Sequence, residues 1–299
     1  IESKATDVPL NCVITYEGAG ADEVPLVADS NLITRTALYV LRCHGQRAFP
    51  AETRVHIINP IPLGRGLGSS GAAVVAGVAL GNEVCFIALL PIFILLNPSA
   101  ERHPDNVAAA LYGGFVGTYL NDLSKADTER KEIPLSEVLP EPAGGVDTGK
   151  APPEPPLGIG HYMKFPWAKE IKAIAIIPHF EVATAEARGV LPKLYSRADV
   201  VFNLQRIALL PSALGRSPPD AEQIYLAMQD KVHQPYRSGL IPGLCGICLS
   251  GAGPTILALA TENFDGIAKV ILDMFAKKNI KCEWKLLEPA EAGMTVAYS

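Results

Sequence analysis

The stretch Asn59-Pro60-Ile61-Pro62-Leu63-Gly64-Arg65-Gly66-Leu67-Gly68-Ser69-Ser70-Gly71-Ala72-Ala73 constrains this chain more than any other. Before it, Thr53–Asn59 alternates Arg54 and His56 against Val55 and Ile57, the pattern of a half-buried strand. Pro60 and Pro62 end that strand, because neither can donate to a sheet ladder. Beyond the loop the Ala-rich run AAVVAGVALGNEV reads as a helix, with Ser69 and Ser70 as its cap. A helix start presents unpaired N–H groups and a partial positive charge, and glycines let that backbone approach an anion closely. Strand, glycine loop and helix follow in the order that a cradle for a nucleotide's phosphates requires.

Other readings of the loop fare worse. Gly66-Leu67-Gly68-Ser69-Ser70-Gly71 satisfies G-x-G-x-x-G, but the dinucleotide fingerprint also needs an acidic residue about 20 positions on. That region here is Val84–Leu96, which carries no charge. No lysine follows the last glycine, so the Walker A pattern fails. Gly68-Ser69-Ser70-Gly71-Ala72 approaches a nucleophile elbow but lacks its final glycine. Taken in isolation, the loop reads equally well as a tight packed turn.

A chain of 299 residues holds one large domain or two ordinary ones, and 48% hydrophobic residues suffice for a substantial core. Its net charge of −5 argues against a nucleic-acid or anionic-membrane surface. The six cysteines are too sparse for a disulfide scaffold, which points to a reducing, cytoplasmic setting. Cys245-Gly246-Ile247-Cys248 is the one C-x-x-C; it falls in an apolar run, so a structural role is expected rather than zinc. No secretory signal pattern is read near Ile1, and the apolar run Val84–Leu96, broken by Pro91, is too short to span a bilayer.

Asn11–Tyr16 reads as a strand and Asn31–Cys43 as a helix capped by Asn31. Ala108–Leu120 bends at Gly113-Gly114 into a strand, and Lys131–Pro156, with seven prolines, reads as an irregular loop. That loop suggests a boundary near residues 155–165. A buried strand follows at Ile171–Pro178, then helices at Thr184–Leu191, Asp199–Ala213 and Asp220–Lys231. Gly246–Leu249 and Thr255–Ala260 form a hairpin turning through Ser250-Gly251-Ala252-Gly253-Pro254. A helix over Asn263–Lys278 ends at Asn279, and Lys281–Leu287 and Met294–Ala297 are expected strands. The pattern is α+β, in two layers along the chain.

Several separated segments resemble those of the GHMP small-molecule kinases, and among these the homoserine kinases of fungal type. They are Pro62–Ala73, Glu101-Arg102-His103-Pro104-Asp105-Asn106, Gly113-Gly114-Phe115, Thr184-Ala185-Glu186-Ala187-Arg188-Gly189-Val190-Leu191-Pro192, His233-Gln234-Pro235-Tyr236-Arg237 and Leu249–Thr255, all in the family's order. The resemblance implies a two-domain α+β fold. Its N-terminal nucleotide-binding domain would span residues 1–160 and its C-terminal ferredoxin-like domain residues 161–299. It also implies ATP-dependent phosphorylation of L-homoserine, a step toward threonine, by a cytoplasmic homodimer using ATP and Mg²⁺.

The same resemblance assigns the residues. Pro62, Leu63, Gly64, Arg65, Gly66, Leu67, Gly68, Ser69, Ser70, Gly71 and Ala72 would hold ATP, with Gly251 and Gly253 approaching its phosphate end. Ser69 and Glu101 would hold the metal, with Asp105 a less favoured alternative to the glutamate. Asn106, Thr184, Arg188 and Arg237 would contact the substrate, the two arginines taking its carboxylate. No general base is assigned. Three departures accompany this: the family's P-x-S-x-A-N-x-G-x-G-x-D segment is absent, Cys85–Ala100 is nearly all apolar, and Arg237 to Ser250 is short. The expectation is a truncated or mis-spliced gene product. The alternatives are an impaired nucleotide-binding remnant or another GHMP kinase.

Overall fold

Alternation makes Cys12–Gly18 (β1) and Thr53–Asn59 (β2) strands; Cys12, Ile14 and Ile57 turn inward. They pair in parallel, from Cys12 opposite Thr53 to Gly18 opposite Asn59, so the chain between them must cross over. Helix Leu32–Cys43 (α1) makes that crossing. Its cap is the expected one: buried Asn31 accepts from the Ile33 N–H at 3.0 Å and donates to the Pro25 carbonyl at 3.0 Å.

The computed structural model describes residues 9–85, 105–122, 160–182, 187, 189–241 and 248–298. The chain divides into two units. One comprises Ile1–Ile61, Gly68–Met163 and Ala292–Ser299; the other comprises Pro62–Leu67 and Lys164–Glu291.

In the first unit, α1 is buried on two sides. Ala37, Leu38 and Leu41 join Cys12, Ile14, Phe49 and Ile57 against the parallel strands. Tyr39 and Val40 meet Val74, Val75 and Val78 of the helix Ser69–Cys85 (α2), with Val107 and Leu111 of the helix Asp105–Tyr112 (α3). Gly77 and Gly81 let α1 and α2 approach closely: a Cβ at Gly77 would lie 2.6 Å from Thr36 Cβ, and one at Gly81 2.7 Å from Val40 Cβ. The bend expected at Gly113-Gly114 is present; both have positive φ, and strand Phe115–Leu120 (β3) follows. That strand pairs with Gly160–Phe165 (β4). Residues 292–298 return to this unit. Met294 donates from its N–H to the Leu111 carbonyl at 3.2 Å and packs on the α2–α3 cluster, and Tyr298 donates to Glu83 at 2.8 Å. Met294–Ala297 is therefore not the expected strand. It has no ladder partner among the described residues, and one backbone bond plus side-chain packing hold it instead.

The second unit is built on a four-stranded antiparallel sheet. Its order is Cys248–Leu249 (β6), Ile256–Ala260 (β7), Lys172–Pro178 (β5) and Cys282–Leu287 (β8). β5 is central, with Ile176 opposite Ile256 on one side and Trp284 on the other. This is why its sequence is a near-continuous apolar run. Helix Phe264–Ala276 (α4) covers one face, packing Ala268, Ile271 and Phe275 on Ile174, Ile176 and Ile256. Asn279 adopts the left-handed conformation that ends α4, as expected, while the Ile280 N–H closes back on the Phe275 carbonyl at 3.1 Å. Phe275 is fully buried. Phe275→Ala is expected to destabilise the unit by about 3–5 kcal/mol, read as a fall in the denaturation midpoint with an unchanged slope.

Helices Arg197–Gly215 (α5), Ala221–Ala227 (α6) and Gln234–Arg237 (α7) complete the unit. α6 stops at Ala227, four residues before the expected Lys231. Half of the expected helix at Thr184–Leu191 lies outside the described residues, with Ala187 and Gly189 helical among those described; the apolar run after Cys85 and the proline-rich loop lie outside them.

Candidate active site

The candidate residues divide between the two units, and each group is built by its own. In the second unit, Gly64 and Gly66 have φ of +61° and +75°, and Gly68, where the chain re-enters the first unit, has +78°. Arg65 and Leu67 between them keep negative φ. A left-handed residue at every second position is a conformation only glycine adopts cheaply. Left-handed residues alternating with right-handed ones are how a backbone forms an anion nest, and these glycines supply the left-handed members of such a pattern.

The turn Ser250–Thr255 braces that loop. Ser250 Oγ donates to the Gly66 carbonyl at 2.8 Å, and the Thr255 N–H donates to the Arg65 carbonyl at 3.2 Å. Gly251 and Gly253 have φ of +55° and +86°, so the turn closes tightly, with the Ser250 N–H on the Thr255 carbonyl at 2.9 Å. A Cβ at Gly66 would collide with the Ser250 carbonyl oxygen and lie 2.9 Å from the Gly253 nitrogen. Arg65 folds back to pair with Glu181 at 3.2 Å, leaving its side chain 19% exposed. Arg65 is thus held as a brace of the loop. Glu181 and Ser250 were not singled out by the sequence, which offered only a turn signal at the serine and nothing at the glutamate.

Arg237, the last residue of α7, reaches into the same turn: Nη1 donates to the Gly251 carbonyl at 3.0 Å and Nε to the Ala187 carbonyl at 3.1 Å. A cavity of about 670 Å³ is lined by Arg237, Gly251, His233, Asn203 and Tyr195, with Leu204 and Ile207 on its apolar side. Burial lowers the His233 pKa, and the nearby Arg237 adds to that while Asp230 opposes it.

In the first unit, α2 starts at Ser69 and its first helical bond runs from the Ala72 N–H to the Gly68 carbonyl at 3.0 Å. The cap is therefore Gly68, correcting the expectation that Ser69 and Ser70 cap the helix. Both serines lie inside the first turn, where N–H groups have no acceptor within the helix. Asn106, on α3, packs over this start. Its Oδ1 lies 3.4 Å from where a Gly68 Cβ would stand, and its Cβ 2.9 Å from one on Gly71. Both glycines keep the helix start open beneath Asn106. Asp105 is exposed on the same helix. Glu101, Thr184 and Arg188 lie outside the described residues, and no group of three His, Cys, Asp or Glu side chains gathers among the described ones.

The profile described as GHMP kinases N terminal domain matches residues 31–114. The homoserine kinase of Saccharomyces cerevisiae is 58% identical to this chain, over 98% of it and 87% of that protein. That of Candida albicans is 48% identical over 97% and 86%, respectively. Among solved structures, homoserine kinase from Cytophaga hutchinsonii is 26% identical, covers 94% of this chain and 83% of that one, and superimposes with a TM-score of 0.68. The phosphomevalonate kinase of Streptococcus pneumoniae, 14% identical over 93% and 87% with a TM-score of 0.54, shares the fold.

Proposed function

The chain belongs to the homoserine kinases of the GHMP kinase family, and from that premise we propose how its own residues phosphorylate L-homoserine to O-phospho-L-homoserine with ATP. The observation that carries the reading is the series of left-handed glycines at 64, 66 and 68, followed in the chain by the start of α2, whose first N–H groups have no acceptor within the helix. A triphosphate is the biological anion that such a run of N–H groups suits. Nothing in the comparisons favours an impaired remnant or a different GHMP kinase.

Phosphoryl transfer needs in-line positioning and neutralisation of charge more than covalent help. Residues 62–72 hold the phosphates of ATP through backbone N–H groups, while Gly251 and Gly253 keep the bracing turn close without a side chain in the way. Arg237 and Arg188 take the substrate carboxylate in charge-assisted bonds of about 1.5–3 kcal/mol each. Asn106 and Thr184 add neutral polar contacts to homoserine. No residue is assigned as a base; the substrate hydroxyl attacks once oriented. Mg²⁺ is a hard cation that takes oxygen ligands, so the Ser69 hydroxyl and the Glu101 carboxylate suit it. When bound, it neutralises phosphate charge. Residues 1–160 form the ATP-binding domain in this reading, and 161–299 the C-terminal one.

The homodimer and the cytoplasmic setting belong to the same proposal. Cys12, Cys43, Cys248 and Cys282 form no disulfide among the described residues, which fits the reducing compartment of this reading. No helix among the described residues is long and apolar enough to cross a membrane. A coupled ADP-release assay across homoserine, mevalonate and galactose tests the reading. Turnover is expected with homoserine, lost on adding EDTA and restored by Mg²⁺. A preference for either other alcohol would overturn it.

A further inference from the structure

Asp230 stands between α6 and α7 with every acceptor position occupied. Its Oδ1 accepts from Asn203 Nδ2 at 2.5 Å and the Val232 N–H at 3.0 Å. Its Oδ2 accepts from the His233 N–H at 2.8 Å and the Gln234 N–H at 2.5 Å. The opposite end of the Asn203 amide accepts from the Lys231 N–H at 2.8 Å. One carboxylate thereby gathers three successive backbone donors and fastens them to α5. Burial would raise its pKa, but these hydrogen bonds outweigh burial and leave it lowered. A saturated, acidic carboxylate is a poor proton acceptor, so its work is mechanical.

The donors it gathers lead directly into α7. This helix is one turn, Gln234–Arg237, and its cap residue His233 makes no side-chain cap bond. A single turn does not persist alone, because nucleation fixes several dihedrals for one hydrogen bond. Asp230 does the capping in place of His233. Arg237 is the last residue of that turn; its N–H closes on the His233 carbonyl at 3.2 Å, and its guanidinium is set on the carbonyls of Ala187 and Gly251.

We propose that Asp230, with Asn203 as its partner, is the positioning residue that sets Arg237 for the substrate carboxylate, an inference that rests on the assignment of Arg237 above. Asp230→Asn in the full chain is expected to raise KM for homoserine about 10-fold, with kcat and KM for ATP within about 3-fold. Asn203→Ala, which removes one of the four bonds, raises it about 3-fold. Exchanging the two groups, Asn203→Asp with Asp230→Asn, rebuilds the side-chain bridge but sets the new amide NH2 against the Val232 N–H, so it recovers only part of the rise in KM. In an Arg237→Ala background, Asp230→Asn adds less than about 2-fold, because the group it positions is gone.

Equal rises in both KM values, or full additivity with Arg237→Ala, would overturn the proposal and leave Asp230 a structural clamp. An unchanged homoserine KM in Arg237→Ala alone would overturn the assignment of Arg237 itself. That second failure is separable, since it is read without touching Asp230.

Discussion

Gly66→Ala lowers kcat/KM by at least about 100-fold and removes the stabilisation of the protein by ATP in a thermal-shift measurement. Two penalties combine. At φ +75° an alanine sits in the left-handed region, at a cost of about 1–2 kcal/mol. Its Cβ also meets the Ser250 carbonyl and the Gly253 backbone, which are atoms of a tight turn and cannot swing aside as a side chain end would. The loop must shift away from its brace and lose the bonds from Ser250 Oγ and the Thr255 N–H. A displacement of about 1 Å at a transferring phosphoryl group is enough for the loss stated. Ser250→Ala is the milder control: it removes one brace without strain. Activity of Gly66→Ala within about 3-fold of the parent, in a folded protein, would refute the phosphate cradle.

Arg237→Ala raises KM for homoserine about 100-fold, with KM for ATP little changed. The guanidinium is anchored by two main-chain carbonyls, so it presents a preorganised cation, and little ordering entropy is spent when a carboxylate arrives. Arg237→Lys is expected to recover only part of the loss, because an ammonium cannot make two parallel bonds or reach the same pair of carbonyls. A substrate analogue without the carboxylate should react equally poorly with parent and variant. Discrimination retained by Arg237→Ala would show that the carboxylate is held elsewhere.

Much of the scaffold was legible because its signals are local. Alternation gave β2 with its observed bounds, Asn31 marked the start of α1, and Asn279 marked the end of α4. The glycine loop announced itself for the same reason, since positive φ at every second residue leaves a trace in the sequence. What was missed is set by distant partners. Gly68 caps α2 because its own carbonyl takes the first bond, which no side-chain rule reveals. The sequence pattern of α6 runs on through Asp230, yet that carboxylate is captured by Asn203, 27 positions earlier, and by the N–H groups that follow it. Ser250 reaches Gly66 across 184 residues, and Glu181 finds Arg65 across a shorter but still long span. The hairpin through Ser250-Gly251-Ala252-Gly253-Pro254 was readable as a turn, but its role as a brace was not.

The return of residues 292–298 to the first unit bears on how the protein is made. Gly113 and Gly293 bring two backbones together with no room for a side chain, and Met294 fills a place in the α2–α3 cluster. Gly293 and Met294 leave the ribosome only after the whole of the four-stranded sheet has been translated. The first unit therefore waits, with part of its apolar surface uncovered, while the second can close on itself. Chaperone dependence in the living cell should accordingly fall on the half of the protein synthesised first.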